Sequence, residues 1–129
     1  MKIPEQMVWL LALMEQIMDE AKFEDFLKLD IRCGTITSAQ PFPEARKPAV
    51  KLELDFGAPF GRRKSSAQIK TNYKLETLVG KQVLAVVNLQ PRQIGPFMSE
   101  VLTLGVPDLD GEVVLVVPDK RVPDGGKLY

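Results

Sequence analysis

Hydrophobic positions along the chain change their period several times, and each change marks an element. Near the N-terminus, Leu10, Leu13, Met14, Ile17, Met18 and Ala21 recur at helical spacing, which predicts an amphipathic helix over residues 5–22. The stretch IRCGTITSAQ then reads as a β-branched strand. VKLELDFG alternates without a break, with Val50, Leu52, Leu54 and Phe56 on one face and Lys51, Glu53 and Asp55 on the other. Gly57, Pro59 and Gly61 bound a turn, and RRKSSAQIK returns as a third strand. TNYKLETLVGK carries a short helix, with Thr71 or Asn72 as cap, Tyr73, Leu75, Leu78 and Val79 facing inward, and Gly80 as stop. QVLAVVNL is apolar enough to be a central strand. SEVLTLGV reads as a fifth strand, and EVVLVVPD, after the Asp110-Gly111 turn, as a sixth.

Three strands, a short helix and two more strands is the order of an OB-fold. The expected architecture is therefore all-β: a five-stranded Greek-key barrel with a short helix between strands 3 and 4. To it are added the N-terminal amphipathic helix and extra C-terminal strand. The domain organisation follows as residues 1–22 for the helix and 23–129 for the barrel domain. Such barrels hold ligands on the face of strands 2 and 3, between the loops joining strands 1–2 and 4–5. Here those loops are SAQPFPEARKPA and NLQPRQIGPFMSE, both rich in proline and polar residues. Prolines that merely stiffen the loops are the plainer alternative.

Composition narrows the chemistry. At 129 residues the chain has the size of one domain, and its 17 basic and 17 acidic residues cancel. The charge is segregated, however: residues 44–74 hold eight Lys/Arg against three acids, whereas residues 1–30 hold seven acids against three Lys. A basic centre fits an anionic partner at one face. The single cysteine, Cys33, permits no internal disulfide, and its alternating context makes it a small buried hydrophobe. There is no histidine, so Ser-His-Asp and Cys-His catalysis and four-ligand Cys/His zinc sites are excluded. We read the chain as a non-enzyme without cofactor or metal. The apolar run MVWLLALM is too short for the roughly 20 residues of a bilayer span, so no membrane insertion and a cytoplasmic location are expected.

The segments FLKLDIRCGTI, FPEARKPAVKLELDFG, SSAQI, YKLETLVGKQVLAVVNLQPRQIGPFMSEVLTLG and VPDKRVPDGGKLY together resemble the CsaA family. These are small cytoplasmic proteins proposed to assist protein export. That family is in turn similar to stand-alone tRNA-binding domains and to the C-terminal extension of some methionyl-tRNA synthetases. The resemblance runs from about Phe23 to the C-terminus and leaves the N-terminal helix out. It implies a homodimeric OB-fold that acts as a chaperone, assisting protein export by binding unfolded preproteins or peptides; the alternative is a tRNA-binding module that recognises folded tRNA by shape and backbone.

Each function selects its own residues. A peptide groove would be lined by Ile94, Phe97 and Met98 from one loop and Phe42 and Pro43 from the other. Glu100 and Asp55 would meet the positive charges that flank a preprotein's apolar segment. For tRNA, phosphates would be met by Arg46, Lys47, Lys51, Lys64 and Arg92. Ser66, Gln68, Asn88 and Ser99 would read bases or 2′-hydroxyls.

Overall fold

The computed structural model describes residues 7, 8, 10, 11, 20–69 and 72–129. The main sheet is antiparallel throughout, with strands in the order Arg62–Ala67 (β3), Val50–Asp55 (β2), Ile31–Pro41 (β1), Gln82–Val86 (β4) and Leu102–Thr103 (β7). The long β1 serves two partners. Its first half pairs with β4 and its second half with β2, and a register shift between Ile36 and Ser38 bends it from one to the other. The sheet nearly closes on itself where β3 meets the segment before β7. The Lys64 carbonyl accepts from the amides of Glu100 and Val101, and Ser65 donates to the Val101 carbonyl while accepting from Thr103. The buried Ser65 hydroxyl is thus fully satisfied.

The alternation read in VKLELDFG is realised: Val50, Leu52, Leu54 and Phe56 are buried and face Ile36, Val83 and Leu78 in one core. Two short helices flank the barrel, α1 (Phe23–Leu27) and α2 (Leu75–Leu78). In α2 the cap expectation is corrected. Its N-cap is Lys74, with no side-chain bond, while Asn72 donates instead to Asp108 and to the Val113 carbonyl. Thr71 lies outside the described residues. Leu78 is buried, but Val79 is exposed, because the backbone leaves the helix at that residue and turns its side chain outward. Tyr73 packs on the barrel and its hydroxyl accepts the Leu115 amide.

Further differences concern where segments end. The expected fifth strand divides: β7 stays in the barrel, whereas β8 (Gly105–Pro107) leaves it to pair with β9 (Val113–Leu115). The Asp110-Gly111 turn stands where expected, held by the Asp108 carboxylate, which accepts the amides of Asp110 and Glu112. These bonds and the one from Asn72 hold the Asp108 carboxyl below its ordinary range. Of the helix expected over 5–22, Met7, Val8, Leu10 and Leu11 are helical and exposed. Residues 20–22 are not helical, and the rest lies outside the described residues. Lys22 is extended and opens α1, an element the sequence did not signal.

The motif DIRCG earns its composition from the C-terminal tail. Arg32 donates to Asp30 and to the Gly125 carbonyl, both at 2.9 Å, and its guanidinium stacks 4.3 Å from the Phe60 ring centre. Cys33 exchanges backbone bonds with Gly125 and Gly126, and Leu128 donates to Ile31. The tail therefore runs antiparallel to the start of β1. Gln82, buried, binds the backbone of Val122 on both sides of its amide group. Cys33 is buried as expected. Burial first, then the Asp124 carboxylate, pushes its thiol pKa up, against a smaller lowering by Arg121.

Candidate nucleic-acid interface

The two proline-rich loops meet at one end of the barrel. The segment from Asn88 to Glu100, expected as an irregular loop, contains a hairpin, β5 (Arg92–Ile94) and β6 (Phe97–Ser99). Its turn is Gly95-Pro96, and Gly95 takes the positive φ of 54° that a two-residue hairpin turn favours at its first position. Ile94 pairs with Phe97 across this turn, and Met98 opposes Gln93. The hairpin leans on the β1–β2 loop through Phe97, whose ring meets that of Phe42 edge to face at 5.3 Å. Phe42 is only 3 % exposed, so it is a buried anchor rather than an open groove wall.

Two lysines complete this contact. Lys51 on β2 places its ammonium 5.3 Å from the Phe42 ring centre and 5.9 Å from that of Phe97. Lys64 on β3 lies 5.4 Å from the Phe97 ring centre. Each distance is within cation–π range, worth about 0.5–1 kcal/mol at such a partly exposed site. The arrangement follows from the alternation of β2 and β3, which turns Lys51 and Lys64 to the same outer face. Farther along that face, Asp55 and Glu53 stand opposite Arg62 and Lys64, and Arg62 pairs with Glu53 at 3.2 Å. The face therefore carries three cations against two acids, with Lys51 at the loop end unopposed by an acid across the strands.

Beside the aromatic contact, a groove of about 560 Å³ opens between the β1–β2 loop and the hairpin. Arg46, Lys47, Ser66, Gln68, Arg92 and Ile94, all expected site residues, line it together. Glu44 is the one acid in its wall. Ala45, Ala49, Gln93 and Gly95 also line it and escaped the sequence reading; their only signal was adjacency to residues already singled out. Pro43 is exposed and borders a separate hollow of about 270 Å³ with Pro41, Phe42 and Pro48.

Four expected contacts are engaged elsewhere. Asn88 accepts the Asp30 amide and donates to the Lys28 carbonyl, both at 2.8 Å, so its whole amide group pins α1's exit to the end of β4. Ser99 accepts the Ser66 amide at 3.0 Å. Glu100 accepts the Lys64 amide at 2.9 Å, which turns the acid into a strand-pairing group. Asp55 accepts the Gly57 amide and shapes the turn after β2. Among the described residues no cluster of three or more His, Cys, Asp or Glu side chains gathers at a metal-binding spacing.

The family described as "putative tRNA binding domain" matches residues 31–127. A methionine--tRNA ligase of Parabacteroides distasonis is 36 % identical over 112 residues, which are 87 % of this chain but 16 % of the ligase. Two crystal structures align over their full length: chaperone CsaA of Bacillus anthracis, with 51 % identity over 86 % of this chain and a TM-score of 0.80, and the CsaA chaperone protein of Picrophilus torridus, with 48 % identity over 85 % and a TM-score of 0.79. The family match over residues 31–127 and the fold and sequence shared with both structures thus agree, and the chain belongs to the CsaA family of putative tRNA-binding domains.

Proposed function

We propose that the protein binds folded RNA of the tRNA class through the groove between the β1–β2 loop and the β5–β6 hairpin. The observation that carries this reading is the placement of Lys51 and Lys64 over Phe42 and Phe97, next to Arg46, Lys47 and Arg92. Three cations line a groove whose wall contains one acid, and Lys51 and Lys64 stand at the aromatic contact. Phosphates supply affinity to such a surface irrespective of sequence. The aromatic faces are already occupied by ammonium groups, which disfavours base stacking and favours recognition of backbone and shape. On this reading the chain is a binding module and not a catalyst, and it works in the cytoplasm.

A second reading, a chaperone for unfolded preproteins assisting export, is supported by the likeness to the two CsaA chaperones. Neither Phe42 nor Phe97 lines the groove between the loops, whose apolar side chains are Ala45, Ala49 and Ile94. The apolar surface open to such a client is instead a groove of about 490 Å³ between α1 and the C-terminus, lined by Phe23, Phe26, Leu27, Leu29 and Leu128. A homodimer is the expected assembly, supported by the exposed Val106 and Val114 on the β8–β9 hairpin. Light scattering should return twice the 14.4 kDa chain mass. A monomer at micromolar concentration would remove the pairing.

The two functions separate in a competition experiment with bulk tRNA and an unfolded preprotein segment, at two salt concentrations. RNA affinity should fall steeply with salt, and the Lys51→Met/Lys64→Met variant should reduce the log–log slope by about two units. Apolar peptide binding should hardly respond to salt. If tRNA binding is absent, or the slope of the double variant is unchanged, the groove reading fails.

A further inference from the structure

We propose that Lys81, Lys120 and Arg121 form a second phosphate-binding pocket, separate from the groove between the loops. Lys81 follows α2, whereas Lys120 and Arg121 belong to the C-terminal tail, so docking of the tail on the barrel creates the site. The three side chains line a hollow of about 280 Å³ with Gly80, Gln82 and Asp119. Three cations thus face one carboxylate, and none of the three makes an ion pair with a described residue. Three cations beside one wall carboxylate leave an excess of positive charge, which a bound anion offsets; a second acid, Asp124, accepts from the same Thr35 hydroxyl to which Arg121 donates.

The guanidinium is oriented in advance. Arg121 donates to the Gly80 carbonyl at 3.2 Å and to the Thr35 hydroxyl at 3.4 Å, which engages two of its five N–H donors. A guanidinium held in this way, with Lys81 and Lys120 lining the same hollow, matches the oxygens of a phosphate. Lys81 is also restrained, with its ammonium 5.9 Å from the Tyr73 ring centre. The pocket is distinct from the groove. Thr35, which touches Arg121, lies six residues before Pro41, where the β1–β2 loop begins, or about 20 Å along an extended strand. A mononucleotide cannot touch both sites, whereas a folded RNA has phosphates at such separations.

The ligand chemistry is a phosphate group, and its source is either a free anion or a second stretch of the RNA proposed above; only the latter rests on that reading. Backbone amide NMR distinguishes them, with inorganic phosphate in one titration and a short RNA hairpin in another. Gly80, Lys81, Lys120 and Arg121 should shift with both. The Lys81→Ala/Lys120→Ala variant should abolish the phosphate-induced shifts and lower the RNA salt slope by about two units, with its melting temperature retained. Shifts with phosphate alone assign the pocket to free anions and leave the groove reading standing. Shifts with RNA here, while Arg46 and Arg92 stay silent, keep the pocket and sink the groove. No shift with either probe, or shifts that persist in the double variant, overturns the pocket.

Discussion

Phe42 and Phe97 stand edge to face, 5.3 Å apart, and this one contact joins the β1–β2 loop to the β5–β6 hairpin. The groove exists because the two loops are held at that distance. Phe97→Ala should therefore loosen the hairpin and cost about 1–2 kcal/mol from lost burial and ring pairing. Arg92, exposed on the same hairpin, should behave oppositely. Arg92→Ala should leave urea midpoints unchanged and flatten the RNA salt slope by about one unit. Equal stability of the two variants would mean that the ring contact does not hold the hairpin.

Asn88 offers a test of a residue whose expected contact the structure redirects. Its side chain makes two hydrogen bonds to the Lys28–Asp30 segment. Asn88→Ala should destabilise the fold by about 1–3 kcal/mol and leave the RNA salt slope as it was. A variant that keeps its stability but loses RNA affinity would return Asn88 to the ligand.

Gly125 is required twice over. Its φ is +88°, and a Cβ there would lie 2.5 Å from the Phe56 carbonyl oxygen. Gly125→Ala should cost more than the ~1–2 kcal/mol of a left-handed residue, since backbone must also move. Thermal melting measures it. A near-neutral result would show that the tail is not held against Phe56.

Cys33 predicts an alkaline limb in stability. Burial raises its folded pKa above that of the unfolded chain. The stability that comes from a neutral thiol is complete below the unfolded value, about pH 8.5, and is lost as pH rises through the folded value. Urea titrations from neutral pH to about pH 10 should show this decline, and Cys33→Ala should flatten it. An identical decline in the variant would assign the limb to other groups.

The alternation of VKLELDFG, the order of strands around α2 and the basic run from Glu44 to Lys74 are properties of short windows. They determined the barrel and its buried face without reference to distant residues. The division of the fifth strand was not legible, because whether Gly105–Pro107 stays in the barrel depends on a competing partner, Val113–Leu115. The same holds for the polar side chains. Arg92, Asn88, Ser99 and Glu100 are all hydrogen-bonding groups in one stretch, and nothing local tells which face solvent. Only the folded barrel brought the Lys64 amide to one oxygen of Glu100 and the Asp30 amide to Asn88, so these side chains serve the backbone as acceptors. Lys51 and Lys64 were visible as charges, but their seat over Phe42 and Phe97 needed β2, β3 and both loops in place, because ring contacts act over a few ångströms and their partners lie far apart in the chain.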